Sequence, residues 1–275
     1  ISPKVWAWKE HRVERIRRYV DKLFIIFPFE VEYFARRGID AVYEGNPLMD
    51  AIAERCAAMP PREEFFRANG FGARSVIALL AGSRRSEVRN NLPFMAALAE
   101  LMPEYDFVLA AVPWLDRELY GELLAGSRII CLYDKTYEIV RYADAAVVTS
   151  GTATLETALI GTPEVCYRTD ALTVWAGRRL LKIPYISLVN LVMGREVVKE
   201  LIQQEMTPER AAEELRAILP GGGQRERMLA DYDALRKRIG GPGASERVAA
   251  RMVALLKGEK APRPTEREQE NGGAK

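Results

Sequence analysis

Two short segments combine residue types that bind anions. The first, Ala81-Gly82-Ser83-Arg84-Arg85-Ser86-Glu87-Val88, directly follows an apolar run ending at Leu80. Gly82 allows close backbone approach, Ser83 offers a hydroxyl, and Arg84 brings a fixed cationic fork that suits a phosphate. Alone, such a segment is more often a tight turn with two solvated arginines. The second, Thr149-Ser150-Gly151-Thr152-Ala153-Thr154-Leu155-Glu156, lies where an apolar run gives way to a helical pattern. Ser150, Gly151 and Thr152 at a helix N-terminus leave N–H groups and hydroxyls facing outward, a ready anion site. Glu156, further along that helix, has a carboxylate able to accept hydrogen bonds from a ribose diol. The plainer alternative is an N-cap with an exposed glutamate. Both loops at carboxyl ends of strands in one sheet shift the reading toward a nucleotide-phosphate site.

The elements that must position these loops repeat from Ala73 onward: a Val/Ile/Leu-rich run, a Gly or Ser loop, then an amphipathic stretch. Strands are predicted over 75–81, 106–112, 128–132, 145–149 and 164–167. Continuous apolar runs of this length suit parallel strands covered on both faces, with helical crossovers between them. The pattern predicts an open, doubly wound α/β domain over 47–219, with ligands gathered at the carboxyl ends of its strands. Residues 1–46 have the same grammar, with strand-like 22–27, helical 30–37 and strand-like 41–43, and read as the end of a sheet whose beginning is absent. Pro220-Gly221-Gly222-Gly223 is expected as a hinge-like linker. Two helices follow within 220–257, over 225–239 and 245–256, the second with Ser245 as N-cap. The stretch 258–275 lacks large apolar residues and is expected to be disordered.

Composition narrows the function classes. The 275 residues are 48% apolar, 28% charged and 9% aromatic, which describes a globular chain able to bury a core. Forty Lys and Arg stand against 38 Asp and Glu, so no chain-wide field points to nucleic acid as a partner. Cys56, Cys131 and Cys166 form no CxxC pair and read as buried thiols in a reducing cytosol. The apolar run 23–29 is far short of the ~20 residues a spanning helix needs. The chain opens on Ile1 without a signal-like segment, and we expect it to begin inside a larger protein. His11 is the single histidine, among Lys9, Arg12, Arg15, Arg17, Arg18 and Lys22. It reads as solvated, and the basic run as a helix face that also suits anionic lipid head groups. Trp6 and Trp8 alternate as core residues of a strand. Asp231-Tyr232-Asp233 looks like a metal-binding DxD but falls in a helical pattern far from any strand end, so no metal is expected.

Ile1-Ser2-Pro3 with Val5-Trp6-Ala7-Trp8, the loop GSRRSEV, the segment SGTATLE, and Tyr185-Ile186-Ser187-Leu188-Val189-Asn190-Leu191 followed by Gly194-Arg195-Glu196-Val197-Val198 together resemble the lipid-A-disaccharide synthase family. The motifs run in the family's order from residue 1 to about 205. The resemblance implies an α/β fold of GT-B type: one complete Rossmann-like C-terminal domain plus the end of an incomplete N-terminal one. It implies an inverting glycosyltransferase without cofactor that joins UDP-2,3-diacylglucosamine to 2,3-diacylglucosamine 1-phosphate (lipid X) and releases UDP. The implied location is peripheral, on the cytoplasmic face of a Gram-negative inner membrane, and the oligomeric state is left open. Carried over residue by residue, Gly82, Ser83 and Arg84 would hold the diphosphate. Ser150, Gly151 and Thr152 would add the helix N-terminus, and Glu156 the ribose contact. Asn190, Arg195 and Glu196 would line the cleft between the domains, where the donor sugar sits, and the uracil would meet backbone near Leu132 and Tyr133.

Departures from the family's pattern are Ala81 and Val189 in place of prolines and Asn46 in place of histidine. The family's general base is expected before Ile1, and inversion needs such a base on the face opposite UDP. The resemblance therefore implies that this chain alone does not form the disaccharide. Two alternatives stay open: another UDP-sugar GT-B transferase or epimerase, which would share the phosphate loops, and a non-catalytic UDP-binding remnant.

Overall fold

The structure, a computed structural model, describes Pro3, Val5 and residues 11–168, 185–202 and 205–258. The motif at 1–8 apart from Pro3 and Val5, with Trp6 and Trp8, lies outside the described residues, as do Lys9 and the expected disordered tail beyond Gly258.

The chain begins with α1 (Arg12–Tyr19), β1 (Leu23–Ile25), α2 (Phe29–Ala35) and β2 (Ala41–Tyr43). β1 and β2 pair in parallel, with Leu23 opposite Ala41. Val13, Ile16, Leu23, Ile25, Phe34 and Ile39 close a small core around this βαβ unit. Two helices, α3 (Leu48–Ala57) and α4 (Arg62–Ala68), lead into the larger unit.

That unit alternates β3 (Val76–Leu80), α5 (Arg85–Leu101), β4 (Asp106–Ala111), α6 (Arg117–Leu123), β5 (Ile130–Tyr133), α7 (Thr136–Tyr142), β6 (Ala145–Thr149), α8 (Thr152–Ile160) and β7 (Glu164–Arg168). It continues with α9 (Leu188–Met193), β8 (Lys199–Ile202) and α10 (Pro208–Ile218). The strands form one parallel sheet in the order β5-β4-β3-β6-β7-β8. All five residues of β3 are buried, as expected of a central strand covered on both faces. On α5, Val88, Leu92, Met95 and Leu98 recur every three or four residues and are fully buried. Chain order runs outward from β3 to β5, then jumps back to β6 and runs the other way. The neighbours β3 and β6 therefore flank the point where crossover direction reverses, which opens a crevice at their carboxyl ends.

Three local expectations are corrected. β8 was not foreseen, because Lys-Glu-Leu-Ile has no apolar run: it is an edge strand, and its Glu200 serves as an internal acceptor. The glycine segment at 221–223 is a tight turn and not a hinge. There Gln224 N–H reaches Ala217 O at 2.9 Å, and a Cβ on Gly222 would stand 2.3 Å from that same oxygen. Ser245 lies inside the first turn of the last helix, whose N-cap position is Gly243.

The two closing helices are α11 (Arg225–Ile239) and α12 (Ala244–Leu256). They return to the end of β2 and the residue after it: Tyr43 OH donates to Ile239 O at 2.6 Å, Arg247 donates twice to Glu44 O, and Arg251 pairs with the Glu44 carboxylate. Cys166 is buried, and Cys56 and Cys131 are half-buried. Among the described residues, no helix is long and apolar enough to cross a membrane.

Candidate functional site

A cavity of about 470 Å³ opens at the carboxyl ends of β3 and β6. Gly82, Ser83 and Arg84 wall one side, Ser150, Gly151 and Thr152 another, and Glu156 with Tyr137 a third. The structure thus brings seven of the ten predicted site residues to one place.

Each loop is held by its neighbours. Buried Asn91 on α5 donates to Ala81 O at 2.7 Å and to Thr149 Oγ1 at 3.0 Å, tying the end of β3 to the end of β6. The Thr149 hydroxyl in turn donates to Tyr167 OH at 2.9 Å. Trp114 Nε1 donates to Ser83 O at 3.0 Å and braces the first loop from β4's side. Gly82 has φ +107°, a conformation that penalises any side chain. The Arg84 side chain is 79% exposed and pairs with Glu87 at 3.1 Å.

On the second loop, Ser150 Oγ donates to Ile186 O at 3.1 Å, so its hydroxyl anchors the loop. Thr152 opens α8, and the first N–H groups of that helix have no intrahelical acceptor. Their partial positive charge faces the cavity that Arg84 also lines. Deeper in, Tyr137 OH donates to Glu156 Oε1 at 2.9 Å. Burial pushes the Glu156 carboxyl up from its ordinary value, and the Tyr137 hydrogen bond pulls it partly back. Burial and the Glu156 charge push the Tyr137 phenol up as well. The arrangement offers two cationic anchors for an anion and, across from them, an acidic acceptor suited to a diol.

Three predicted residues are elsewhere. Asn190 is fully buried, with every side-chain group in use: Nδ2 donates to Val198 O and Glu200 Oε1, and Oδ1 accepts from Val197 and Val198 N–H. It shapes the turn between α9 and β8 and has nothing left for a ligand. Arg195 makes a bidentate pair with Asp231 at 2.6 and 2.7 Å, and chiefly this hydrogen bonding holds the Asp231 carboxyl below its usual range. Glu196 stands 3.6 Å from Lys199 and lines a separate cavity of about 150 Å³ with Glu164 and Asp231. Glu164 and Lys199 are the first residues of β7 and β8, so that cavity lies at the amino ends of the sheet. Even a four-residue strand spans roughly 13 Å, so this small cavity is separate from the one between β3 and β6.

Leu132 and Tyr133 end β5 without lining the cavity; Thr136 and Tyr137, just beyond, do line it. Asp231 and Asp233 lie on α11, paired with Arg195 and Arg236. His11 is exposed ahead of α1. Sequence reasoning missed Asn91, Trp114, Tyr137 and the part played by Glu87, because each works through a partner distant in sequence or through a side chain folded back on its own loop.

A family profile described as lipid-A-disaccharide synthetase matches residues 1–250. Lipid-A-disaccharide synthase from Myxococcus xanthus (strain DK1622) is 39% identical over 263 residues, covering 93% of this chain and 68% of the relative. The enzyme of that name from Syntrophus aciditrophicus (strain SB) is 40% identical over 270 residues, covering 94% and 68%. Among solved structures, UDP-GlcNAc 2-epimerase from Neisseria meningitidis bound to UDP-GlcNAc superimposes with a TM-score of 0.55 at 15% identity, over 85% of this chain and 61% of that one. A glycosyltransferase from Rickettsia africae ESF-5 gives 0.56 at 11%, over 94% and 69%. At such identities the likeness is one of fold, the GT-B-like α/β arrangement.

Proposed function

Because the chain belongs to the lipid-A-disaccharide synthetase family, a glycosyltransferase family of lipid A biosynthesis, we propose that its β3/β6 cavity holds the UDP part of a sugar-nucleotide donor. The single observation that carries this reading is the convergence of two anion-binding loops and Glu156 on one cavity at the sheet's switch point.

The diphosphate lies between the Gly82–Arg84 loop and the N-terminus of α8, with the ribose hydroxyls on Glu156. As the glycosidic bond to UDP breaks, negative charge develops on the leaving phosphate. Arg84 and the α8 N–H groups stabilise that charge where it appears, which is the electrostatic part of the catalysis. Attack by an acceptor hydroxyl from the opposite face inverts the anomeric carbon and requires a base to take the proton. The donor we propose is UDP-2,3-diacylglucosamine and the acceptor 2,3-diacylglucosamine 1-phosphate. Helix α1 buries Val13 and Ile16 and exposes Arg12, Arg15, Arg17 and Arg18, a polarity that fits peripheral contact with anionic lipid.

Calorimetry with UDP on the wild-type chain and on Arg84→Ala tests the reading. Each charge-assisted hydrogen bond contributes about 1.5–3 kcal/mol, so a roughly tenfold or larger loss of affinity is expected. Equal affinities would remove Arg84 from the phosphate site.

A further inference from the structure

The Glu87 carboxylate occupies the anion-binding groups of the first loop. Its Oε2 accepts from Ser83 N–H at 3.0 Å and from Arg84 N–H at 3.2 Å, while Oε1 accepts from the Arg84 guanidinium at 3.1 Å. Two successive backbone N–H groups and an arginine are the donor set that a phosphate oxygen pair would take. The side chain reaches them by folding back from the first turn of α5 over Gly82. A Cβ at position 82 would stand 2.6 Å from Oε2 and 2.7 Å from Glu87 Cβ, so Gly82 is what makes room for the carboxylate. The contact is not locked in the core: Glu87 lines the cavity with its side chain 31% exposed, and its partner Arg84 faces solvent.

We propose that Glu87 is an internal counter-anion for the phosphate loop. It satisfies Ser83 N–H, Arg84 N–H and the Arg84 guanidinium while the cavity lacks a diphosphate, and swings out when one arrives. A ligand must then outcompete one fixed carboxylate, which selects for multiply charged phosphates over singly charged or neutral groups. The proposal rests on the reading of this cavity as a UDP site.

Calorimetry with UDP and with uridine, on the wild type, Glu87→Gln, Glu87→Asp and Arg84→Ala, tests it. Glu87→Gln removes the charge and keeps the shape, and UDP affinity is expected to rise about five- to tenfold, what one like charge about 4 Å away is worth when screened as in bulk water. Glu87→Asp keeps the charge with a shorter reach and should fall between the two. Uridine affinity should stay unchanged throughout. Equal or weaker UDP binding by both Glu87 variants, with the wild type binding UDP and Arg84→Ala binding it less, would overturn the proposal and make Glu87 a clamp that shapes the loop. No UDP binding by the wild type would defeat the site reading itself, and the counter-anion with it.

Discussion

Asp50 caps a helix that begins nearly two hundred residues later: its Oδ2 accepts from Ser245 N–H at 2.9 Å, and its Oδ1 from Gly243 N–H. The first turn of α12 thereby takes its capping group from α3, and the two helices are joined through a carboxylate. Partial burial works against the charge on Asp50, but the hydrogen bonds from Ser245, Gly243 and Ala244 outweigh it and hold the carboxyl below its ordinary value.

Replacing Asp50 with Ala should cost about 0.5–2 kcal/mol, the range for a lost helix cap. A depressed folded-state value means that the contribution is fully present above the unfolded carboxyl value of about 3.9 and is lost as pH falls through the folded one. Thermal melts should therefore separate wild type from Asp50→Asn at pH 7 and bring them together in acid. A gap that persists at the acid end would assign the effect to packing.

Glu164 carries the opposite sign. Its carboxylate is fully buried with no hydrogen-bond partner among the described residues, and burial pushes its value far up. The neutral form is favoured by folding, so stability is greatest below the unfolded value and falls as pH rises through the folded one. Glu164→Gln should flatten that decline, and Glu164→Leu should raise stability at pH 7 by about 1–3 kcal/mol, the penalty of an unsatisfied buried polar group. Denaturant titrations at pH 5 and pH 8 measure both.

Asn190 and Asn91 make a paired test of where the site lies. Asn190→Ala strands the buried Val197 and Val198 N–H groups and should lower stability by several kcal/mol, since each unsatisfied buried group costs about 1–3 kcal/mol, yet leave the UDP affinity of the folded fraction unchanged. Asn91→Ala should lower both stability and UDP affinity, because Asn91 ties together the two loops between which we propose the diphosphate lies. Loss of UDP affinity in Asn190→Ala alone would restore that residue to the site.

Glu156 should give UDP binding a pH dependence. In the proposed site it accepts from the ribose as a carboxylate, and burial raises its value, so affinity should fall as pH drops through a point above the ordinary glutamate value of about 4.3. Tyr137→Phe removes the hydrogen bond that favours the charged form, so the fall should move to higher pH. Binding isotherms across pH 5–8 show the shift, and Glu156→Gln should leave only the dependence that comes from the titration of UDP's own terminal phosphate.

Much of this was legible in the sequence, and the reasons differ by element. The runs that became β3, β4 and β6 are uninterrupted apolar stretches because both faces of a central parallel strand are covered. That the two loops share one cavity was readable because both directly follow neighbouring runs of one sheet. β8 was not, since an edge strand needs less apolar surface and Glu200 is spent on Ile186, Ser187 and Asn190. Asn190, Arg195 and Glu196 were assigned from motif content alone, which says nothing of the end of the sheet on which a turn falls. Trp114 and Tyr137 reach the site through contacts 31 and 19 residues away, a relation that periodicity does not encode.

The most direct measurement is a crystal structure of this chain with UDP bound. The account predicts the diphosphate between the Ser83 and Arg84 N–H groups and the N-terminus of α8, the ribose hydroxyls on Glu156, and the Glu87 carboxylate turned away from the loop. UDP seated at the amino ends of β7 and β8, beside Glu196 and Lys199, would contradict it.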